Sequence, residues 1–422
     1  MPTSNSRRNF LRTSVAASSA LAAMAVPRAV HAGVDATLRV GLVGCGGRGT
    51  GAALDALHGD PHTKLVAIGD TFRDRAEKAL VDMKLDAEVA DRIAVDNDQI
   101  FSDFDNYKHV IEACDVVLLA TPPHFRPIHL AYAVEQGKHA FVEKPIAVDV
   151  PGVHAVMATC DLAKQKGLAV VSGLCWRYDL GVCETIARIQ DGAIGDVIAI
   201  ESSYNANTLW HRRNEPDWSR LEYQIRNWLY YTWLSGDHIC EQAIHSLDKT
   251  LWVQGDASPV RAMALGGRQQ RTDPKFGHIW DHFSVFYEYP SGVRVFFTCR
   301  QQDNCSTFVD EYVLGTKGKA QILANEIDGE KKWRYRGPKP VMYRQEMVEL
   351  FKSIRDGQPI NNGQYMCNST LVAIMGRLAG YTGKTLTWDE LNSSQERLGP
   401  SELAWGDVPE PAVAIPGQYP FV

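Results

Sequence analysis

The sequence predicts two domains of different class: an α/β domain with a parallel sheet, followed by a domain built on a large, mostly antiparallel β-sheet. Over residues 38–172 short apolar runs alternate with helical patterns, whereas after residue 196 strand-like runs follow one another through hairpin turns. A chain of 422 residues is long enough for two such cores. We therefore predict one domain over residues 38–172, a second over 173–385 and a C-terminal arm over 386–422.

A glycine-rich turn lies between the first strand and the first helix. An apolar run over residues 38–43 leads into this turn, whose candidate ligand-binding residues are Gly44, Gly46, Gly47, Arg48 and Gly49. Glycine permits the turn at 44, removes a Cβ that would exclude phosphates at 46, and lets the helix approach the strand at 49. Free N–H groups at the helix start then bind the anion. The order strand, turn and helix predicts a Rossmann domain that binds a dinucleotide.

An acidic residue follows the second strand. The run over residues 64–69 ends in Asp70, which lies 21 positions after Gly49. A carboxylate at this place accepts hydrogen bonds from the adenosine ribose. It favours NAD, since a 2′-phosphate would meet a like charge, although Arg73 and Arg75 leave NADP open.

Two later strand ends supply further candidate cofactor contacts. Residues 115–120 form a continuous apolar run, typical of a buried parallel strand, which ends in Thr121, Pro122 and His124. Residues 140–142 form the next strand and lead into Glu143 and Lys144, followed by a proline that ends the strand. A cis bond at that proline would aim Lys144 out of the sheet edge. Because open α/β sheets bind ligands at the carboxyl ends of their strands, all five residues are predicted to lie near the cofactor.

The second domain is predicted from period-two patterns. Strands are expected over residues 196–205, 260–266, 282–289, 293–300, 311–314 and 320–323. Helices are expected over residues 237–253, 341–356 and 369–381, and the second of these is expected to return to the first domain.

The predicted helix over residues 237–253 carries the candidate chemistry. At about 100° per residue, an arc of about 80° contains four ionisable side chains, those of His238, Glu241, His245 and Asp248. Burying all four is costly, so we expect them to line a polar cleft or face solvent. A divalent metal can be bound by side chains at the spacing of His238, Glu241 and His245. No further ligand is identifiable, however, and no metal is predicted.

These motifs together resemble the glucose–fructose oxidoreductase, inositol dehydrogenase and MocA family. The similarity runs from about residue 38 to residue 381 and rests on the glycine turn, the Glu-Lys-Pro sequence, the acid-to-histidine spacing of the helix and the trailing sheet. The resemblance implies a two-domain NAD(P)-dependent enzyme with carbohydrate or cyclitol substrates and oligomers that form through the open sheet face. Its catalytic set maps onto Lys144, His245 and Glu241, where Glu241 stands in place of the family's aspartate.

The chemistry of these residues fits oxidation of a secondary alcohol. His245 is suited to exchange the hydroxyl proton near neutral pH, and Lys144 to donate a hydrogen bond to the alkoxide or ketone. Glu241 is expected to orient the imidazole or to hold the neighbouring hydroxyl.

Further residues are predicted to shape a sugar pocket. Candidates beside His245 are Trp176, Arg177 and Tyr178, which follow the last Rossmann strand, and Trp233, Asp237 and His238. Residues 204–233 are rich in aromatic side chains and arginine, which suit the C–H faces and the hydroxyls of pyranose rings. The alternative is an aromatic core beneath a long insertion.

The first 32 residues are predicted to be a targeting signal. Arg7 and Arg8 precede a short Ala/Ser-rich stretch, which resembles a twin-arginine export signal and predicts a periplasmic protein. Membrane contact is expected only through this signal. The formal net charge is −6, and the part after the signal is more acidic still, which makes nucleic acid an unsuitable partner.

The sequence thus leads to three hypotheses. The first is an exported oxidoreductase that acts on a ring hydroxyl of a sugar or glycoside with tightly held NAD(P). The second is a redox-neutral, NAD-dependent glycoside-cleaving enzyme resembling family 109 glycosidases. The third is a non-catalytic sugar-binding protein.

Overall fold

The computed structural model describes residues 36–422, so the export signal predicted for residues 1–32 lies outside the described part. Two sheets organise this part, a six-stranded sheet and a nine-stranded sheet. The predicted fold class is confirmed: a parallel-sheet Rossmann domain precedes a mostly antiparallel sheet domain.

The first sheet is parallel throughout, in the order β3-β2-β1-β4-β5-β6. Its strands are β1 (Leu38–Val43), β2 (Thr63–Gly69), β3 (Ile100–Phe101), β4 (Val116–Leu119), β5 (His139–Val142) and β6 (Val170–Ser172). The residues of β4 and β5 are all buried, because helices cover both faces of the sheet. From β1 the chain crosses the sheet in one direction to β2 and β3, and then in the other direction from β4 to β6. The carboxyl ends of β1 and β4 therefore border a crevice suited to a ligand.

Five helices follow the strands of this sheet: α1 (Gly47–Gly59), α2 (Arg73–Met83), α3 (Asn106–Ala113), α4 (Arg126–Glu135) and α5 (Val150–Gln165). A late helix, Met342–Arg355, contacts α1 and buries Met347, Leu350 and Phe351 in the same core as Ala53. It is numbered α11 below, and it returns to the first domain as the sequence predicted.

The second sheet has the order β14-β13-β12-β11-β7-β10-β9-β8-β15. Its strands are β7 (Val197–Ala206), β8 (Arg261–Gly267), β9 (His282–Glu288), β10 (Arg294–Gln301), β11 (Phe308–Gly315), β12 (Gly318–Gln321), β13 (Glu326–Asp328), β14 (Lys332–Arg334) and β15 (Leu386–Thr387). The β7–β10 pair is parallel, with Ile200 opposite Val295, and the other pairs are antiparallel. Since β15 pairs with β8, the predicted C-terminal arm begins with an edge strand.

The remaining helices are α6 (Leu180–Gln190), α7 (Arg220–Arg226), α8 (Thr232–Ser235), α9 (His238–Glu241), α10 (Ile244–Val253), α12 (Gly363–Thr382) and α13 (Trp388–Ser393). Helices α10 and α12 contact each other and lie against one face of the nine-stranded sheet. None of the helices within residues 36–422 has the length and apolar character needed to span a bilayer.

The prediction of one continuous helix over residues 237–253 is wrong. The Ala243 N–H donates to the carbonyl of His238, five residues back, and the His245 N–H donates to the carbonyl of Gln242, three residues back. The helix is therefore interrupted between α9 and α10. The four ionisable side chains do not share a face, since His238 and Asp248 are buried in the core whereas Glu241 and His245 are partly exposed.

Candidate active site

A cavity of about 410 Å³ lies along the carboxyl edge of the parallel sheet. Among the predicted cofactor residues, its lining includes Gly44, Gly46, Gly47, Arg48, Gly49, Asp70, Thr121 and Pro122. It lies at the crevice that the strand order creates between β1 and β4.

The glycine turn has the geometry that a dinucleotide needs. Gly44 has φ of +97°, and a Cβ at Gly49 would lie 1.8 Å from the Gly44 carbonyl oxygen. Helix α1 therefore approaches β1 only because residue 49 has no side chain. A Cβ at Gly47 would meet no atom within 4 Å, so the helix start is open towards the cavity. These residues fit the pyrophosphate of a dinucleotide.

Asp70 is held rigidly at the end of β2. Its two carboxylate oxygens accept hydrogen bonds from the backbone N–H groups of Cys45, at 2.8 Å, and Phe72, at 3.0 Å. The residue is buried and lines the cavity, where its remaining lone pairs are placed to accept from a ribose.

A second cavity of about 280 Å³ continues from the first. Lys144, Glu241 and His245, predicted as the catalytic set, all line it. The two cavities share Arg48, Ala120, Trp228 and Glu241, so they form one cleft between the two domains. The structure thus brings together two groups that are about a hundred positions apart in the chain.

Lys144 is positioned by the backbone of α9. Its Nζ donates to the Glu241 carbonyl oxygen at 2.5 Å and lies 3.5 Å from the Glu241 Oε1. The Lys144–Pro145 peptide bond is cis, which agrees with the geometry considered from the sequence. Glu241 Oε2 is buried and has no hydrogen-bond partner within the described chain. An ammonium group with a free carboxylate oxygen beside it is suited to bind a hydroxyl.

His245 is a neutral base in this setting. Its Nδ1 is buried and has no partner within residues 36–422. Burial lowers the pKa of the imidazole well below 6.5, and the nearby positive charges of Lys144, Lys249 and Arg48 lower it further. The ring is therefore uncharged at neutral pH and able to accept a proton.

Arg48 and Glu143 are part of an ion-pair network. The Arg48 Nε donates to Glu143, and its Nη2 lies 2.8 Å from the Glu346 Oε1 on α11. The ring of Tyr343 lies 4.5 Å from the guanidinium carbon. Burial raises the pKa of Glu346 well above its usual value, although Arg48 opposes this shift. Both predicted cofactor residues line the cleft, and α11 fixes them from the far end of the chain.

Two predicted contacts lie away from both cavities. His124 packs edge-on against the indole of Trp233, with ring centroids 4.9 Å apart, and Gly399 of the C-terminal segment lies beside it. Trp233 is buried and donates through Nε1 to Gln224 at 2.7 Å. Burial lowers the pKa of His124, which suits an uncharged packing residue. The predicted roles of His124 and Trp233 at the ligand are therefore corrected to packing beneath the C-terminal segment.

Asp237 and His238 form a buried polar centre instead of a substrate contact. Asp237 has no exposed surface, and its carboxylate accepts from His238 Nδ1 at 2.9 Å, Trp280 N at 2.9 Å and Tyr381 Oη at 2.5 Å. His238 Nε2 lies 3.5 Å from Cys299 Sγ. Both residues line neither cavity, because these hydrogen bonds hold them in the core.

The loop after β6 is also taken up by internal contacts. Arg177 pairs with Asp248 at 2.9 Å and with Asp256 at 2.5 Å, and its guanidinium stacks on Tyr365 at 3.9 Å. The Tyr178 hydroxyl donates to Asn362 at 3.1 Å, and Lys249 lies over the Trp176 ring at 5.0 Å. Trp176, Arg177 and Tyr178 line neither cavity, so their predicted sugar contacts are corrected. The expectation that Asp248 faces a polar cleft is wrong for the same reason.

Sequence reasoning missed several residues that line the second cavity, namely Arg126, Gln242, Tyr343 and, as individual assignments, Tyr204 and Trp228. The aromatic content of residues 204–233 pointed to the last two as a group. Arg126 follows the Pro-Pro turn, where burial lowers its pKa to about 10. Tyr343 lies about 300 positions from the glycine turn, and no local pattern places it there.

The described residues include no cluster of three or more His, Cys, Asp or Glu side chains arranged to hold a metal ion. The His238, Glu241 and His245 spacing does not converge, since His238 faces Asp237 and Cys299.

Comparison with protein families gives two matches. Residues 38–174 match the oxidoreductase family with an NAD-binding Rossmann fold, and residues 184–321 match the GFO/IDH/MocA C-terminal domain. The two matches fall on the two sheets described above. The first domain is thus an NAD-binding Rossmann domain, in agreement with the cofactor prediction.

Curated relatives match over part of their length. A 2,7-anhydro-N-acetylneuraminate hydratase of Escherichia coli is 26% identical over 51% of this chain and 53% of its own length. A glycosyl hydrolase family 109 protein of Phocaeicola vulgatus is 29% identical over 61% of this chain and 54% of its own length. The chain thus spans about half the length of these two relatives.

Solved structures share the fold. Aldose-aldose oxidoreductase from Caulobacter crescentus superposes with a TM-score of 0.63 at 20% identity, over 83% of this chain and 99% of that one. The common architecture therefore includes both sheets.

Proposed function

Because the chain belongs to the GFO/IDH/MocA family of oxidoreductases, we propose that it transfers hydride between a ring carbon of a sugar or glycoside and a bound NAD. The observation that carries this proposal is the convergence of Lys144, Glu241 and His245 on a cavity that continues from the glycine turn. When bound, the nicotinamide supplies the hydride acceptor. The residues of the chain supply the proton chemistry and the orientation of the substrate.

His245 removes the hydroxyl proton as the carbinol is oxidised. Its free Nδ1 and its lowered pKa provide an uncharged acceptor at neutral pH. Lys144 donates a hydrogen bond to the same oxygen and stabilises its negative charge, because its Nζ faces the same cavity. Glu241 holds the neighbouring hydroxyl through its free Oε2.

A carbohydrate substrate suits the walls of this cavity. Trp228 and Tyr204 line it, and aromatic faces pack well against the C–H faces of pyranose rings. Arg126 and Gln242 add donors for hydroxyl groups. Relatives whose names indicate sugar substrates support this class.

The test begins with nucleotide released from purified protein and identified by mass spectrometry. A panel of sugars and aryl glycosides is then followed by the absorbance of reduced nicotinamide. We expect Lys144→Met and His245→Gln to lower kcat by about a hundredfold or more. The matched controls Lys78→Met and His154→Gln, at exposed sites, should retain activity. Unchanged turnover in both cavity variants would instead favour a non-catalytic sugar-binding protein.

A second candidate is redox-neutral glycoside cleavage. Oxidation at C3 acidifies the C2 proton, a base removes that proton, the aglycone leaves from C1, water adds and hydride returns to C3. This sequence needs a second proton acceptor, and Glu241 can supply one, because it lines the same cavity as His245. The family 109 relative supports this reaction. Aglycone release without net formation of reduced nicotinamide would select it, whereas a keto-sugar product would select simple oxidation.

We further propose that the protein is exported folded, with its nucleotide tightly held. Arg7 and Arg8 support the twin-arginine route, which carries folded proteins. In a bacterial host, the full chain should fractionate with periplasmic markers and retain nucleotide on dilution. Replacing both arginines by lysine should keep it in the cytoplasm. Cytoplasmic location of the unaltered chain would contradict export.

We also propose that two copies associate through the open face of the nine-stranded sheet. Met263, Phe286 and Phe296 lie opposite one another on β8, β9 and β10, and each is more than a third exposed. An apolar row of this kind suits an isologous interface. Light scattering should show a dimer or larger assembly that Phe296→Asp weakens and the remote Val81→Asp does not. A monomeric unaltered protein would refute the interface.

A further inference from the structure

Two arginines from different domains face the cofactor cavity. Arg75 lies in the first turn of α2, whereas Arg212 lies in the loop between β7 and α7. Both line the cavity that contains the glycine turn. The Arg75 Nη2 lies 2.9 Å from the position that a Cβ on Gly46 would take, so its guanidinium sits at the turn itself.

The loop that carries Arg212 is held in place by buried side chains. The Arg212 backbone N–H donates to Asn227 Oδ1 at 2.8 Å, and Asn227 has no exposed surface. The Tyr230 hydroxyl donates to the carbonyls of Leu209, at 2.8 Å, and Trp210, at 3.0 Å. The Arg212 guanidinium lies over the Trp210 ring at 5.2 Å. The position of the Arg212 loop over the cavity is therefore fixed by the packing of the sheet domain.

Nearby carboxylates act on these two arginines only from beyond ion-pair distance: Asp74 acts on both, and Asp70 acts on Arg212. Their neighbour Arg226 pairs with Asp74 at 3.1 Å and with Glu222 at 2.8 Å. Within residues 36–422, neither Arg75 nor Arg212 has a carboxylate at ion-pair distance, so their charges face the cavity. Burial, and then repulsion from Arg75 and Arg226, lowers the pKa of Arg212, although Asp74 and Asp70 oppose this shift. An anion between the two guanidinium groups would relieve that repulsion.

We propose that Arg75 and Arg212 form a phosphate clamp that closes over the pyrophosphate of the bound dinucleotide from the two domains. Guanidinium groups bind phosphate oxygens in bidentate fashion, and the glycine turn already places the pyrophosphate beside Arg75. Arg212 belongs to the sheet domain and Arg75 to the Rossmann domain. The nucleotide therefore leaves only after Arg212 moves away from the pyrophosphate. The clamp rests on the proposed function and supplies a physical cause for a tightly held cofactor.

The test compares Arg212→Gln with Arg213→Gln in the full chain, after copurified nucleotide has been removed. Arg213 is the next residue in the same loop, is exposed and does not line the cavity, so its variant is a matched control for charge. We expect R212Q to raise the dissociation constants of NADH and ADP about tenfold each and R213Q to leave them unchanged. Adenosine, which has no phosphate, should bind both variants equally.

Further measurements separate a clamp from a structural effect. Stopped-flow fluorescence should show faster NADH release from R212Q, with a weaker dependence on salt than in the unaltered protein. Arg212→Lys should recover part of the affinity, and circular dichroism should remain unchanged. Equal NADH affinities of R212Q and R213Q, or a loss confined to NADPH, would overturn the clamp but not the proposed function. An unaltered protein that binds no nucleotide would overturn both.

Discussion

Replacing Asp237 by alanine should destabilise the fold instead of weakening sugar binding. The buried carboxylate accepts from Trp280 N at 2.9 Å, from the Tyr381 hydroxyl at 2.5 Å and from His238 at 2.9 Å. Each buried donor left without a partner costs about 1–3 kcal/mol. The φ of +71° is strained for any residue with a Cβ, so alanine keeps the backbone strain that Asp237 already bears, and the loss comes from the hydrogen bonds. We therefore expect a loss of about 4 kcal/mol in the free energy of unfolding.

Urea unfolding followed by circular dichroism measures this loss. Asp217→Ala is the control, because that aspartate is exposed and its removal changes the net charge equally. Asp237→Asn should lose less stability than Asp237→Ala, because its amide oxygen still accepts one of the hydrogen bonds. A D237A protein within about 1 kcal/mol of the unaltered chain, with a raised KM for the sugar, would refute this reasoning and return Asp237 to the substrate site.

Three further predictions follow from the same geometry. Gly49→Ala should lower nucleotide affinity, measured by calorimetry, at least a hundredfold, since its Cβ would lie 1.8 Å from the Gly44 carbonyl oxygen. The control Gly51→Ala should bind nucleotide normally, because the nearest atom to its Cβ is 3.8 Å away. Equal affinities of the two variants would contradict the close approach of α1 to β1. Trp228→Ala should raise the KM for the sugar about tenfold through lost stacking, measured by steady-state kinetics; an unchanged KM would place the sugar elsewhere. Burial lowers the pKa of His278 from 6.5 to about 4 in the folded protein. As the pH falls, the unfolded chain therefore takes up a proton at this histidine before the folded chain does. The free energy of unfolding should fall by about 3 kcal/mol between pH 6.5 and pH 4. Melting curves against pH check this, and an equal acid loss in His278→Gln would refute it.

Local sequence was enough to predict the Rossmann domain. The strand, the glycine turn and the start of α1 are encoded within about a dozen residues, because only glycine tolerates the φ at Gly44 and the close contact at Gly49. The convergence of Lys144 with His245 was also predictable, although only through resemblance to a family. Period-two patterns predicted six strands of the second sheet, but not the short strands β13, β14 and β15 or the parallel β7–β10 pair.

The segment over residues 237–253 shows where local pattern fails. Helical spacing places His238 and Asp248 on the face of Glu241 and His245, yet the structure buries the first two in the core. Their burial is tolerated because His238 is hydrogen-bonded to Asp237, and Arg177 supplies the opposite charge for Asp248. Neither partner can be recognised from the spacing of the helix.

The sequence by itself determined the order of elements, the dinucleotide turn and the residue types available for proton transfer. Only the tertiary structure decided which of those side chains face the cleft, and it added Tyr343, Glu346 and Arg212 from distant segments. The physical reason is that backbone conformation depends mainly on neighbouring residues, whereas the free energy of burying a charge depends on partners that the fold brings from elsewhere.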